Sequence, residues 1–289
     1  MQRAILALYP GRAEIDIPLC LGHIAPPVHA KYFFNVEFEL SVISVSLLVV
    51  AGFLAGFINT IAGGGSMLTL PAFMILGLPA DIANATNRVG IFLQSLAGMR
   101  GFHKEGKLAP ATIVPTLLPT LSGALFGSLL ASYLPVTWLK PTLLATMLGM
   151  AAIMLVKPSV VAPPEGTPAF TLRERPTAAI GLFVAGFYGG FIQAGVGFLL
   201  IAAVAGGLRY DLVRANALKV AITAALTVIA LVVFIARDQV MWVPGLVMAV
   251  GTVVGASISV KFAIRVPQAV LKWVLFVMVL LTCGAAYFS

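Results

Sequence analysis

The sequence predicts an all-α, polytopic membrane protein made of two inverted repeats of about five helical segments each, with short or broken helices in the middle. Three observations carry this. The chain of 289 residues is 60% hydrophobic and only 10% charged, with a mean hydropathy of +1.05, where a soluble domain carries about 25% charge. Its apolar residues fall into membrane-length stretches separated by short charged loops. Two of those stretches are interrupted by glycines at matching places in the two halves. The first reads Ala51-Gly52-Phe53-Leu54-Ala55-Gly56-Phe57-Ile58-Asn59-Thr60-Ile61-Ala62-Gly63-Gly64-Gly65-Ser66, and the second Ala185-Gly186-Phe187-Tyr188-Gly189-Gly190-Phe191-Ile192-Gln193-Ala194-Gly195-Val196-Gly197-Phe198. A run of glycines disfavours a helix by roughly 1 kcal/mol per residue relative to alanine. In hydrocarbon, broken backbone survives only where protein or a water-filled cavity satisfies it.

The elements follow in order. Residues 1–39 carry Pro10, Pro18, Pro26 and Pro27 among mixed charges and read as a loosely ordered extension. They lack the basic start, clean apolar core and small-residue cleavage site of a secretory signal. The first repeat covers 40–156. Residues 40–80 hold no charge: a span over 41–62, the glycines, then a short segment over 66–78. Asp81 is expected to cap a helix over 82–99. Spans follow at 110–133, which Pro115 and Pro119 should bend or start, and at 137–156. A polar linker, rich in proline and expected to be cytoplasmic, spans 157–176. The second repeat covers 177–289, with a span over 177–194, the second break, a short segment to Leu208, Asp211 as a cap, and spans at 212–236, 242–262 and 268–288.

The two halves also match beyond the breaks. Leu78-Pro79-Ala80-Asp81 parallels Leu208-Arg209-Tyr210-Asp211, and Asn84-Ala85-Thr86-Asn87-Arg88-Val89 parallels Asn216-Ala217-Leu218-Lys219-Val220 with one residue missing. Placing 100–107 inside and alternating through ten segments puts 12 of the 18 basic residues inside: Arg100, Lys104, Lys107, Lys157, Arg173, Arg175, Arg209, Arg214, Lys219, Lys261, Arg265 and Lys272. Treating each short segment as a continuation of its partner puts the cluster at 209–219 outside and fits less well. An odd number of segments per half makes the halves inverted, and matched breaks in inverted halves are a transporter signature.

Other classes lack their residues. None of the ten acidic residues falls within a span, so paired carboxylates for acid–base chemistry are absent at depth, and an enzyme is not expected. His23, His29 and His103 lie outside the spans, and Cys20 and Cys283 lie in opposite tails, so no metal site or cofactor is expected. A metal or cation permease would need such ligands at depth, and a non-transporting scaffold would have no use for broken helices there. The net charge of +8 is spread over short loops, which fits membrane topology rather than nucleic acid.

Arg88 and Lys219 follow the breaks without an acidic partner in the spans, so a bound anion is a natural counter-charge; snorkelling to the interface is the competing use of such residues. Helix starts after Gly63-Gly64-Gly65 and at Gly195 and Gly197 present backbone N–H groups and a favourable dipole to an anion. Asn59, Thr60, Ser66, Asn84, Thr86, Asn87, Gln193 and Asn216 add neutral hydrogen-bonding groups around the same breaks, with Gln94 one or two turns beyond Arg88. The remaining glycines, such as Gly123, Gly127, Gly251 and Gly255, read as helix-packing positions.

These motifs carry a family likeness. From Ala51-Gly52-Phe53 through Gly63-Gly64-Gly65-Ser66, Pro71, Gly77-Leu78-Pro79 and Ala83-Asn84-Ala85-Thr86-Asn87-Arg88, and again from Gly186 through Phe198 and Arg214-Ala215-Asn216-Ala217-Leu218-Lys219, the chain resembles the sulfite exporter TauE/SafE family of membrane permeases over about residues 41–287. The resemblance implies a multi-pass permease of a bacterial-type inner membrane that moves sulfite, sulfonates or related small organic anions, usually outward. The expected partners are thus a small anion and the lipid bilayer, with no nucleic acid; a homo-oligomer is compatible with the sequence.

Overall fold

The computed structural model describes residues 41–61, 63–108, 110–156, 163 and 167–262. The expected extension at 1–39, most of the linker over 157–166 and the expected last span at 268–288 lie outside the described residues. The regular elements among the described residues are all helical: α1 (Val42–Ile61), α2 (Ser66–Ile75), α3 (Ala80–Lys104), α4 (Pro110–Tyr133), α5 (Val136–Val156), α6 (Thr177–Phe191), α7 (Val196–Ile201), a π-helical turn continuing α7 over Ala202–Gly207, α8 (Leu212–Ala236) and α9 (Trp242–Phe262). The backbone follows from the solvent: without water, only a helix satisfies every N–H and C=O within one segment.

Among the described residues, α1, α4, α5, α8 and α9 are long and apolar enough to cross a membrane. Helix α3 has 25 residues, about 37 Å at 1.5 Å per residue, yet is less apolar, because Asn84, Asn87, Arg88, Gln94 and Ser95 line it and are all buried. Val114, Leu118, Trp138, Ile180, Val232 and Trp242 are more than half exposed. The protein is therefore a multi-pass membrane protein with an apolar outside and polar groups held within.

Two capping details differ from each other. Asp211 caps α8 as expected, its carboxylate accepting from the Arg214 amide at 2.9 Å. Asp81 does not cap α3. Pro79 holds that position with an extended backbone (φ −55°, ψ 151°), helix geometry begins at Ala80, and Asp81 sits buried in the first turn, where a carboxylate still complements the helix dipole. Pro115 and Pro119 lie inside α4 rather than starting it.

Glycines set the helix contacts. A Cβ on Gly52 or Gly56 would lie 2.5 Å from the Met248 carbonyl oxygen or 2.1 Å from that of Thr252, and Gly251 and Gly255 meet Val49 and Phe53 in the same way. Helices α1 and α9 thus run side by side in the same direction at backbone contact. Helices α4 and α6 repeat the arrangement, with Gly123 and Gly127 against the Phe183 and Phe187 carbonyls and Gly186 and Gly190 against those of Thr120 and Ala124.

Helix α7 doubles back along α6: Gly189 faces Val196, Gly181 faces Ala203 and Gly207 faces Ala178. Helix α3 runs with α9, since Gly245 meets Thr86 and Val89 while Gly101 meets Val260. Helices α1 and α3 therefore both run in the direction of α9, and α2, which joins the end of one to the start of the other, must return along α1. Each glycine-rich break is thus the tip of a helical hairpin.

Candidate functional site

The two tips meet. A Cβ on Gly63 would stand 2.6 Å from the Gly197 Cα, and one on Gly197 would stand 2.4 Å from the Gly63 Cα. Local geometry makes each tip. Gly63 (φ 88°) and Gly195 (φ 82°) take left-handed backbone that glycine adopts without a side-chain clash. Gln193 takes it too, with φ 66°, and the Tyr188 hydroxyl secures that turn by donating to the Ala194 carbonyl at 2.6 Å.

Each tip is held by a cation from the other half of the chain. Lys219 on α8 donates through Nζ to the Asn59 and Thr60 carbonyls at 3.0 and 3.2 Å and to Asn216 Oδ1 at 2.9 Å. Arg88 on α3 donates to the Gly189 and Gly190 carbonyls at 2.5 and 2.8 Å, to Gln193 Oε1 and, weakly at 3.5 Å, to Asn84 Oδ1. Phe234 lies 5.4 Å from the Arg88 guanidinium carbon. Asn59 and Thr60 end α1, and Gly189 and Gly190 end α6, so both cations sit where a helix terminus concentrates negative potential. Both are buried, and among the described residues neither has a carboxylate partner; carbonyl and amide oxygens take the place of an ion pair.

An ammonium has three donors, and the three acceptors of Lys219 occupy them all. Lys219 also lines a cavity of about 10 Å³ with Asn59, Thr60, Gln94, Ser95, Gly197, Val220 and Thr223. That volume holds about one water. The wall presents one cation, amides and hydroxyls, and no carboxylate.

The structure distributes the other expected residues as follows. Asn59, Thr60, Gly197 and Lys219 line the cavity. Asn216 orients Lys219. Asn84 and Gln193 orient Arg88; Asn84 Nδ2 also donates to the Phe191 carbonyl at 2.9 Å, and Gln193 Nε2 to Thr227 Oγ1 at 2.9 Å. Thr86 Oγ1 accepts from the Met241 amide at 3.0 Å ahead of α9. Asn87 accepts from Thr69 at 2.6 Å, while its Nδ2 has no partner. Ser66 is the first, buried residue of α2, Gly64 accepts from the Met67 amide at 3.0 Å in the bend before it, Gly65 packs on the Ala55 carbonyl and Gly195 against Met67. Ser95, Val220 and Thr223 reach the cavity without a sequence signal of comparable strength. Their helical spacing, one turn from Lys219 to Thr223 and two from Arg88 to Ser95, is the trace they leave. Among the described residues, no group of His, Cys, Asp and Glu could hold a metal ion.

The chain is similar to known membrane transporters. Residues 48–286 match the family described as sulfite exporter TauE/SafE. A probable membrane transporter protein ORF9 of Sinorhizobium sp is 29% identical over 232 residues, covering 79% of this chain and 86% of that protein. The probable membrane transporter protein YfcA of Escherichia coli (strain K12) is 26% identical over 239 residues, covering 83% and 88%. A probable membrane transporter protein of Haemophilus influenzae is 25% identical over 227 residues, covering 77% and 86%. No solved structure matches the chain. The match extends through both hairpins and both cations, and the chain belongs to the sulfite exporter TauE/SafE family.

Proposed function

We propose that this protein is a secondary permease for a small anion such as sulfite, a sulfonate or a related organic acid, that it works by alternating access between two inverted halves, and that Lys219 and its cavity form the binding position. The observation that carries the reading is the Lys219 ammonium, set in the wall of a polar cavity where the two helix breaks touch, with no carboxylate around it. The family description and the transporter names of the relatives support it.

An arriving anion competes with the Asn59 and Thr60 carbonyls for the Lys219 ammonium. Exchange of those acceptors for substrate oxygens loosens the tip of α1 as the charge is neutralised, which couples occupancy to movement of the hairpin. The hydroxyls of Ser95 and Thr223 and the amides of Asn59 and Gln94 supply neutral donors, while the Thr60 hydroxyl stays bonded to the Gly56 carbonyl at 3.0 Å. Arg88 belongs to the frame: its bonds with α6 hold the opposite tip in register. In a cell inner membrane with the basic loops inside, the potential favours anion export by about 2.3 kcal/mol per charge per 100 mV.

Flux of labelled sulfite and methanesulfonate into proteoliposomes, with and without an imposed pH gradient, tests the reading. Saturable flux that falls at least about tenfold in Lys219→Gln is expected. Absence of flux for every anion, or wild-type flux in the variant, would remove the proposal.

A further inference from the structure

The chain just before α6 folds back onto the second hairpin and places arginines at its base. Ala169 and Leu172 pack on the buried cluster of Ala178, Val204, Leu208 and Leu218, and the Phe170 amide donates to the Leu208 carbonyl at 2.8 Å. Thr171 and Glu174 close a capping box: Glu174 Oε2 accepts from the Thr171 amide at 2.7 Å and hydroxyl at 2.9 Å, and Thr171 Oγ1 accepts from the Glu174 amide at 3.4 Å. The Glu174 carboxylate is thereby engaged within its own turn.

Two guanidinium groups share the Phe170 ring. The Cζ atoms of Arg175 and Arg209 lie 4.8 and 5.6 Å from its centroid. Both residues are exposed, as is Arg173. Among the described residues, none of the three pairs with a carboxylate; the ion pair nearby joins Arg214 to Asp211 at 3.8 Å. The backbone adds a second observation. Arg209 takes left-handed geometry, φ 58°, while the matching bend after α2 is made by Gly77, φ 88°. An L-residue carries a steric cost there that glycine avoids, and an arginine held against that cost points to use of its side chain. The cluster lies where α6 and α8 begin, below the exposed Ile180 and Val184 of α6.

The geometry points to a docking site for the headgroup of an anionic phospholipid. Stacking on Phe170 orients the guanidinium planes, whose paired N–H donors match phosphate oxygens. The acyl chains then run along the apolar face of α6. A zwitterionic lipid brings the same phosphate with its charge already compensated, so the site favours lipids of net negative charge. The site is independent of the transport cavity.

Native mass spectrometry of the purified full chain with phosphatidylglycerol or phosphatidylcholine at equal concentration tests it. The wild type is expected to retain several times more phosphatidylglycerol. Arg175→Gln combined with Arg209→Gln brings the two lipids to parity, while Arg214→Gln, which removes the Asp211-paired arginine, keeps the preference. Arg209→Gly guards against a folding artefact, since glycine suits that backbone; it too should lose most of the preference. Equal retention by the wild type, or an unchanged preference in Arg209→Gly, overturns the proposal. Displacement of phosphatidylglycerol by millimolar inorganic phosphate assigns the arginines to a free anion and overturns the lipid assignment.

Discussion

Gly63 and Gly197 touch backbone to backbone, each Cα standing where a side chain on the other would begin. The contact joins the tips of hairpins that come from different halves of the chain. No other residue type fits at either position without moving the other tip.

Gly197→Ala tests that contact by itself, because Gly197 lies within the first turn of α7 and carries no positive φ. Overpacking of this kind costs about 1–3 kcal/mol, so thermal unfolding in detergent should shift down by several degrees. Gly149→Ala is the control, since nothing lies within 4 Å of its added Cβ and its backbone is helical; it should leave the midpoint unchanged or raise it slightly. A Gly197→Ala midpoint equal to wild type would mean that the tips are not in contact.

Arg88 and Lys219 should separate stability from transport. Arg88→Gln leaves the Gly189 and Gly190 carbonyls without their donor, at about 1–3 kcal/mol for each buried group left unpaired. Its midpoint should fall markedly, while the protein that remains folded keeps its KM within about twofold. Lys219→Gln should raise KM at least about tenfold, or abolish saturable flux, with a loss of midpoint of the same origin, since the Asn59 and Thr60 carbonyls lose their donor. The opposite pattern would move the binding role to Arg88.

Thr223 and Ser95 report on the cavity wall. Thr223→Val keeps the shape of the side chain and removes the hydroxyl. One neutral hydrogen bond is worth about 1 kcal/mol, so KM for the transported anion should rise roughly fivefold with little change in expression. Val228→Thr, on the exposed side of the same helix, should leave KM unchanged. Equal effects of the two would show that the cavity does not receive substrate.

The Thr171–Glu174 turn should respond to acid. The Thr171 amide, and secondarily its hydroxyl, hold the Glu174 carboxyl below the ordinary carboxylate range. A carboxyl with a depressed folded-state pKa contributes fully above its unfolded value, and that contribution disappears as pH falls through the depressed value. Hydrogen exchange at the Thr171 amide should therefore be slower in the wild type than in Glu174→Ala near neutral pH. The difference should vanish as the carboxyl protonates. A difference that persists unchanged into acid would mean that Glu174 does not hold the turn.

Hydropathy and composition alone establish that the chain is helical and spans a membrane, where it breaks, and which residues around the breaks are polar, because hydrocarbon tolerates broken backbone and buried charge only under strict conditions. Spans such as 212–236 and 242–262 were legible almost to the residue, since charged loops bracket them. What the polar residues do depends on how the helices pack. Arg88 and Lys219 look alike in the aligned sequence motifs, but Arg88 turns both terminal nitrogens to the α6 carbonyls while Lys219 also faces a cavity. Asp211 caps and Asp81 does not, because Pro79 had already set the start of α3. Ser95 and Thr223 gain meaning only when α3 and α8 meet across the tip of α1. Hydropathy and spacing are properties of one segment, whereas a donor's acceptor is chosen by which helix packs beside it.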